Sequence, residues 1–245
     1  MRGIGSEFMK KTRYEYLGPP DQMRGIPQPQ LELDCDNAVA VIDLPDYRDC
    51  NVKPLTITGA IDKRRSIRSF SDRELALQEL SYLLWCTQGV REVMPRSATF
   101  RTVPSAGARH AFETYLLVHR VEGLQQGLYR FIAIGHRLAD LNAPSGIADE
   151  IVKGCLGQNS VGNSAVTFLW AAVKERMCWR YGERGYRYLL LDAGHVCQNL
   201  YLADVAIDCG VCAIGAYDDE AVNRSLGLDG EEHFIIYSAA VGKKV

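Results

Sequence analysis

Hydrophobic positions along the chain change period several times, and each change predicts an element. Between residues 74 and 88, Leu75, Leu77, Leu80, Leu83 and Leu84 recur at the three- and four-residue spacing of one broad helix face. Ser71 with Glu74 three residues on reads as a capping box for that helix, and Gly89 as its C-terminal stop. Residues 38–43, 113–119 and 127–132 are short, β-branched or aromatic stretches that predict strands. Residues 166–173 and 234–241 are continuous apolar runs, the pattern of strands covered on both faces. Residues 185–207 are too long for a strand and apolar nearly all round. That predicts a helix buried on every side, in a domain centre or across an oligomer interface. Asp218 or Asp219 caps one last helix ending at Gly227. Several strands follow one another with no helix between them, so the pattern predicts an α+β fold with a mixed sheet rather than a doubly wound one.

Proline divides the chain. Residues 9–55 hold Pro19, Pro20, Pro27, Pro29, Pro45 and Pro54 and read as an extended N-terminal arm. Residues 1–8 read as a cloning remnant ahead of Met9, and residues 56–245 as one globular domain. There is no internal repeat and no low-complexity tract.

Composition narrows the function classes. Of 245 residues, 47% are hydrophobic and 24% charged, with a net charge of −2. That balance argues against a general nucleic-acid or membrane-surface binder. No uncharged apolar run approaches about 18 residues, and no apolar segment follows the start, so the expectation is a cytoplasmic protein without a membrane span. The 8 cysteines are expected to be reduced. Cys209 and Cys212 form a single C-x-x-C with no second pair, and the 5 histidines are scattered, so no metal site is expected. Dinucleotide-binding, phosphate-loop, zinc-protease and nucleophile-elbow motifs are all missing. Enzymatic chemistry, if present, would then come from a bound cofactor.

Three stretches and the tail have the chemistry to hold one. Lys63, Arg64, Arg65 and Arg68 surround the Ser66 hydroxyl. Guanidinium forks match phosphate oxygens, although such a run also suits a plain solvated surface. Pro104, Ser105, Ala106 and Gly107 form a stretch of small residues before a strand, where a flat ring can approach the backbone, or simply a turn. The strand candidate that includes Ile214 ends at Gly215, where a backbone N–H can face a ligand. Lys243 and Lys244 close the chain with two cations, which a solvated tail would also carry.

In this order and spacing the pieces resemble the nitroreductase family of FMN flavoproteins, and most closely its SagB-type dehydrogenase branch. The resemblance spans about residues 45–244 and rests on the run 64–70, the helix 77–85 with Gly89, residues 101–107, Gly127 to Tyr129, residues 181–188, Leu191 to His195, Gln198 with Asn199, and Val241 with Gly242. It implies an α+β fold with a mixed, mostly antiparallel sheet flanked by helices. It also implies a homodimer built around a long buried central helix, with FMN at the interface. By position, Arg64, Arg65, Ser66 and Arg68 would hold the phosphate and the pyrimidine side of the ring. Pro104, Ser105, Ala106 and Gly107 would line the isoalloxazine, Ile214 and Gly215 would sit at its N5 edge, and Lys243 and Lys244 would close on the phosphate. Azoline-oxidising members use a Lys-Tyr pair. Here Arg180-Tyr181 stands in that place, with Arg187-Tyr188 close by, so Tyr181 and Tyr188 are the candidate acid/base residues. The implied activity is ping-pong hydride transfer through flavin N5 to or from a small conjugated substrate, with NAD(P)H as the donor that some relatives use. Azoline dehydrogenation in peptide modification, or flavin binding as a sensor or scaffold without turnover, are the alternative readings.

Overall fold

Alternation along the strands builds the core from both faces of one sheet. In the computed structural model, which describes residues 3–95 and 97–245, β4 (Phe112–Val118) and β7 (Val166–Val173) are its middle. Leu116, Phe168 and Trp170 point to one face, while Tyr115, Leu117, Leu169 and Ala171 point to the other. Both strands are buried along their whole length. The apolar runs are continuous because helices cover both faces.

The remaining strands are β1 (Ala40–Asp43), β5 (Gly127–Ile132), β6 (Arg137–Asp140), β8 (Cys209–Ile214) and β9 (His233–Lys243). The seven-stranded order is β1-β6-β5-β4-β7-β9-β8, antiparallel at every ladder. Among the described residues, parallel pairing is confined to the single bridges Ser66 to Val211 and Leu75 to Val121. A separate hairpin, β2 (Val90–Met94) with β3 (Ala98–Arg101), has no counterpart in the sequence expectations.

One face carries α3 (Leu77–Gln88) and α7 (Gly185–Ala206), whose Leu80, Leu83, Leu84, Leu189, Val196 and Leu200 pack on it. The other carries α4 (Ile147–Gly154), α5 (Asn159–Gly162) and α8 (Asp219–Ser225) through Ile147, Ile151, Val161 and Val222. Asp218 caps α8 as expected, its Oδ1 accepting from the Ala221 N–H at 2.9 Å. The other helices are α1 (Ile4–Lys11), α2 (Ile57–Lys63) and α6 (Lys174–Tyr181). No helix among the described residues is long and apolar enough to cross a membrane.

Two expectations need correction. The helix predicted from residue 74 begins at Leu77, and Ser71 is not its cap. Residues 70–75 are drawn into strand-like pairing instead: the Ser71 N–H donates to Lys243 O, and the Leu75 N–H to Arg120 O. The start of α3 is held from inside by Glu79, which accepts from the Ala76 N–H at 3.0 Å. Helix α7 is not covered all round within one chain, since Leu190 and Leu191 are more than half exposed and Gly194, His195 and Gln198 share their stripe.

The arm expected to be extended over 9–55 begins in α1 and contributes β1 to the edge of the sheet, and it is extended but firmly tied over residues 26–35. Arg176 and Glu113, both 3% exposed, form an ion pair at 2.6 Å. Arg176 Nε also donates to Gln30 O at 2.7 Å, and Glu113 Oε1 accepts from the Leu33 N–H at 2.9 Å. Arg130 Nη2 donates to Leu33 O and Asp34 O, and Trp179 Nε1 to Ile26 O. With no helix or sheet of its own over these residues, the arm satisfies its backbone on buried side chains of the domain.

Candidate functional site

The candidate residues gather into two patches set along α7. Nine residues of helix separate their centres, Asp192 and Tyr201, or about 13 Å at 1.5 Å per residue.

The first patch lies at the C-terminal half of α7. Segment 64–71 leaves α2 and runs against the ends of β8 and β9. The Ile67 N–H donates to Val211 O, and Phe70 bridges to Lys244. Gly210 permits that approach, since a Cβ there would lie 2.6 Å from the Ile67 side chain. The Tyr201 hydroxyl is the hub. It lies 3.0 Å from Ser66 Oγ and accepts from the Ala213 N–H at 2.8 Å, while the Arg64 guanidinium stands 5.3 Å over its ring. One turn on, Asp204 is buried, and Lys244 and Arg64 are the cations that act on it. Burial pushes its carboxyl up to about 7, against the pull of both cations.

Arg64, Ser66 and Lys244 are therefore brought together beside the first half of β8, where Ser66 bridges to Val211 and Cys209 pairs with Lys243, whereas buried Ile214 and exposed Gly215 lie at the other end of the strand, opposite Ser238. Arg65 and Arg68 are exposed, and Arg65 Nη1 turns back to Asp62 O and Arg64 O. Lys243 does not join the cluster. Its Nζ is paired with the Glu79 carboxylate and lies 3.4 Å from Ile207 O. Beside the patch, a cavity of about 570 Å³ opens between residues 52–57, Tyr82 and Trp85 of α3, and Leu202 and Ala206 of α7.

The second patch lies at the N-terminal half of α7. Both carboxylate oxygens of buried Asp192 accept from the Ala106 N–H at 3.3 Å, and Ser105 Oγ accepts from the His110 N–H at 2.9 Å. These bonds fix the loop 104–107. Gly107 has φ +59, and a Cβ there would fall 2.4 Å from the Tyr181 hydroxyl oxygen. Tyr181 meets Tyr188 edge-on at 4.7 Å between ring centroids. The Tyr188 hydroxyl accepts from Arg184 Nε at 2.9 Å and shares a hydrogen bond with Tyr14 of the arm at 2.9 Å. Burial alone would push the Tyr188 phenol up, but the hydrogen bonds from Tyr14 and Arg184 outweigh it and the net direction is down. The Arg180 guanidinium lies 5.7 Å over the Tyr181 ring.

Tyr201, Asp204, Asp192 and Tyr14 were not singled out from the sequence. For the first three a signal existed: polar side chains inside an otherwise apolar helix need a partner or a purpose. Asn199 is satisfied internally, donating to Cys86 O at 2.9 Å, whereas Gln198 faces outward on the exposed stripe. Cys209 and Cys212 are free thiols, and no cluster of metal-ligating side chains occurs among the described residues.

The chain belongs to the nitroreductase family, a family of flavin-dependent oxidoreductases, whose pattern it matches over residues 61–243. It is 31% identical to MJ1384 of Methanocaldococcus jannaschii, which is named as a nitroreductase, over 83% of this chain and 96% of that one. It is 26% identical to the trifolitoxin operon protein TfxC of Rhizobium leguminosarum bv. trifolii, over 76% of this chain and 55% of TfxC. Among solved structures, a protein of Anabaena variabilis named as a nitroreductase superposes with a TM-score of 0.66 at 27% identity, over 84% of this chain and 44% of that one. This chain thus spans under half of the Anabaena protein and about half of TfxC. The E. coli microcin synthetase McbBCD, solved with truncated pro-MccB17 bound, superposes with a TM-score of 0.64 at 19% identity, over 98% of this chain and 86% of that one. A Desulfovibrio desulfuricans protein solved with FMN superposes at 0.55 and 17% identity, over 79% of this chain and 88% of that one. At such identities these last two share the fold.

Proposed function

We propose that the protein is an FMN-dependent oxidoreductase that moves a hydride to or from a small conjugated substrate, and that it works as a homodimer. The observation that carries this reading is the convergence of Arg64, Ser66 and Lys244 around Tyr201 and Asp204. The donor set is that of a phosphate site: a guanidinium, a hydroxyl and an ammonium beside an orphaned buried carboxylate oxygen. The loop 104–107, small and held open by Asp192, offers a flat wall for the ring.

FMN held there would supply the two-electron carrier at N5 that no side chain of the chain provides. The protein's own share is placement and proton handling. Arg64, Ser66 and Lys244 would anchor the phosphate, with Arg65 and Arg68 beside them, and the backbone at Ile214 and Gly215 would serve the N5 edge of the ring. A guanidinium at position 180 cannot accept a proton, so Tyr181 and Tyr188 are the hydroxyls left for acid/base work.

The homodimer is supported by the exposed apolar stripe of α7, and the spacing of the patches is compatible with it. An FMN phosphate and the ring wall about 13 Å further along α7 need not come from the same subunit. Leu190, Leu191, Gly194 and Gln198 form an exposed stripe on α7 along which a second copy with its helix reversed would pack, and the loop 104–107 of one chain would then face the cationic patch of the other.

The names of TfxC and of the McbBCD complex favour a second reading, dehydrogenation of a peptide azoline. Stopped-flow reduction of FMN-loaded protein separates the two. A small-molecule reductase bleaches with NAD(P)H and recovers with a quinone or nitro acceptor in ping-pong fashion. An azoline dehydrogenase bleaches with a thiazoline peptide instead. No bleaching by either would contradict the proposed activity.

A further inference from the structure

Asp204 is the buried acid in the C-terminal half of α7, 2% exposed, and its Oδ1 has no hydrogen-bond partner. Its neighbours on the helix offer it little, the Val205 N–H alone pulling its carboxyl down from the backbone side. A bare carboxylate in such a place is costly unless something neutralises it.

The groups facing it come from every packed element. Arg64 comes from the end of α2, and Lys244 from the tail after β9. From β8 comes Cys209, whose thiol burial pushes up to about 12. Lys243 is engaged by Glu79 of α3, the Lys53 N–H is spent on Ala206 O, and Tyr201 serves Ser66 and Ala213. Among the described residues neither Arg64 nor Lys244 forms an ion pair with any carboxylate. Arg64, held over the ring of Tyr201 one turn away, and Lys244 therefore act on one buried acid without closing on it, and the same two cations are the proposed phosphate anchor.

We propose that Asp204 belongs to the phosphate site and that binding of the FMN phosphate places a proton on its carboxyl, so that Arg64 and Lys244 serve one anion at a time. The inference rests on the flavin reading above. An arriving phosphate draws the cations away from Asp204 and adds a like charge beside it, and both effects strengthen the carboxyl's hold on a proton.

The sign follows. Below pH 7 the carboxyl is protonated with or without FMN, and binding is not linked to it. Above pH 7 it is ionised in the free protein and protonated in the complex, so affinity falls as pH rises, by up to about tenfold per unit. The second ionisation of the phosphate itself, near pH 6, acts in the opposite sense and is complete below this window.

Titration calorimetry of flavin-stripped protein with FMN at pH 8, in two buffers of different ionisation enthalpy, measures the proton directly. The wild type is expected to take up about half to one proton per FMN, and its Kd to weaken about tenfold between pH 7 and 8.5. Asp204→Asn should take up none and show a flat Kd over that range. Riboflavin, which lacks the phosphate, should bind without uptake. Wild-type binding without proton uptake overturns the inference, and so does equal uptake by Asp204→Asn or with riboflavin. The wild-type measurement decides alone if the variant does not fold. Failure of FMN to bind at any pH contradicts the flavin reading itself.

Discussion

Position 107 shows how tightly single residues are specified at this site. Its φ of +59 disfavours any side chain, and the Tyr181 hydroxyl occupies the space where a Cβ would go. Gly107→Ala is expected to destabilise the protein by about 1–3 kcal/mol and to lower its FMN content, read by thermal melting and flavin release. Asp204 gives the pH-dependent counterpart. Its carboxyl is raised in the folded protein, so the native state holds a proton that the unfolded chain has released. The stability cost grows from about pH 4 to pH 7 and then levels. The melting temperature of flavin-free Asp204→Asn should gain on the wild type over that interval and keep a constant margin above it. A margin independent of pH would show that Asp204 titrates at its ordinary value. Arg64, Ser66 and the loop 104–107 were candidates in the sequence only through their order within the family resemblance, since each stretch alone also suits a solvated surface or a turn. The diversion of Lys243 to Glu79 was not, because it depends on how the end of β9 passes α3.

Elements were legible where one physical cause dominated. The strands at 127–132 and 166–173 coincide with β5 and β7, the first from an aromatic stretch opened by Gly127 and the second from a continuous apolar run. The start of α3 was misplaced because tertiary pairing of residues 70–75 outweighs a local capping signal. The hairpin β2–β3 was missed because Val90, Glu92 and Met94 alternate too weakly to mark a strand. The arm reads as extended from its prolines, but its attachment rests on charges distant in sequence, Glu113 and Arg176. Removing one member of such a buried pair typically costs about 3–5 kcal/mol. Glu113→Gln should thus release residues 20–34 to limited proteolysis well before the domain melts, whereas an arm that stays resistant would show that Trp179 and Arg130 suffice to hold it.

At the scale of the molecule, the exposed leucines of α7 are the observation behind the proposed second chain. Leu191→Asp should convert a dimer to a monomer by light scattering and lose FMN with it. A dimer unaffected by that change would place the interface elsewhere. The family was legible in the order of its motifs, but the oligomer lies beyond any single chain's contacts.

The most direct test of the whole account is the visible spectrum of the purified protein, followed by denaturation and chromatography of whatever is released. The account predicts FMN at about one per chain, with Arg64→Ala and Ser66→Ala depleted. A protein that is colourless, and remains so after incubation with FMN, would contradict it.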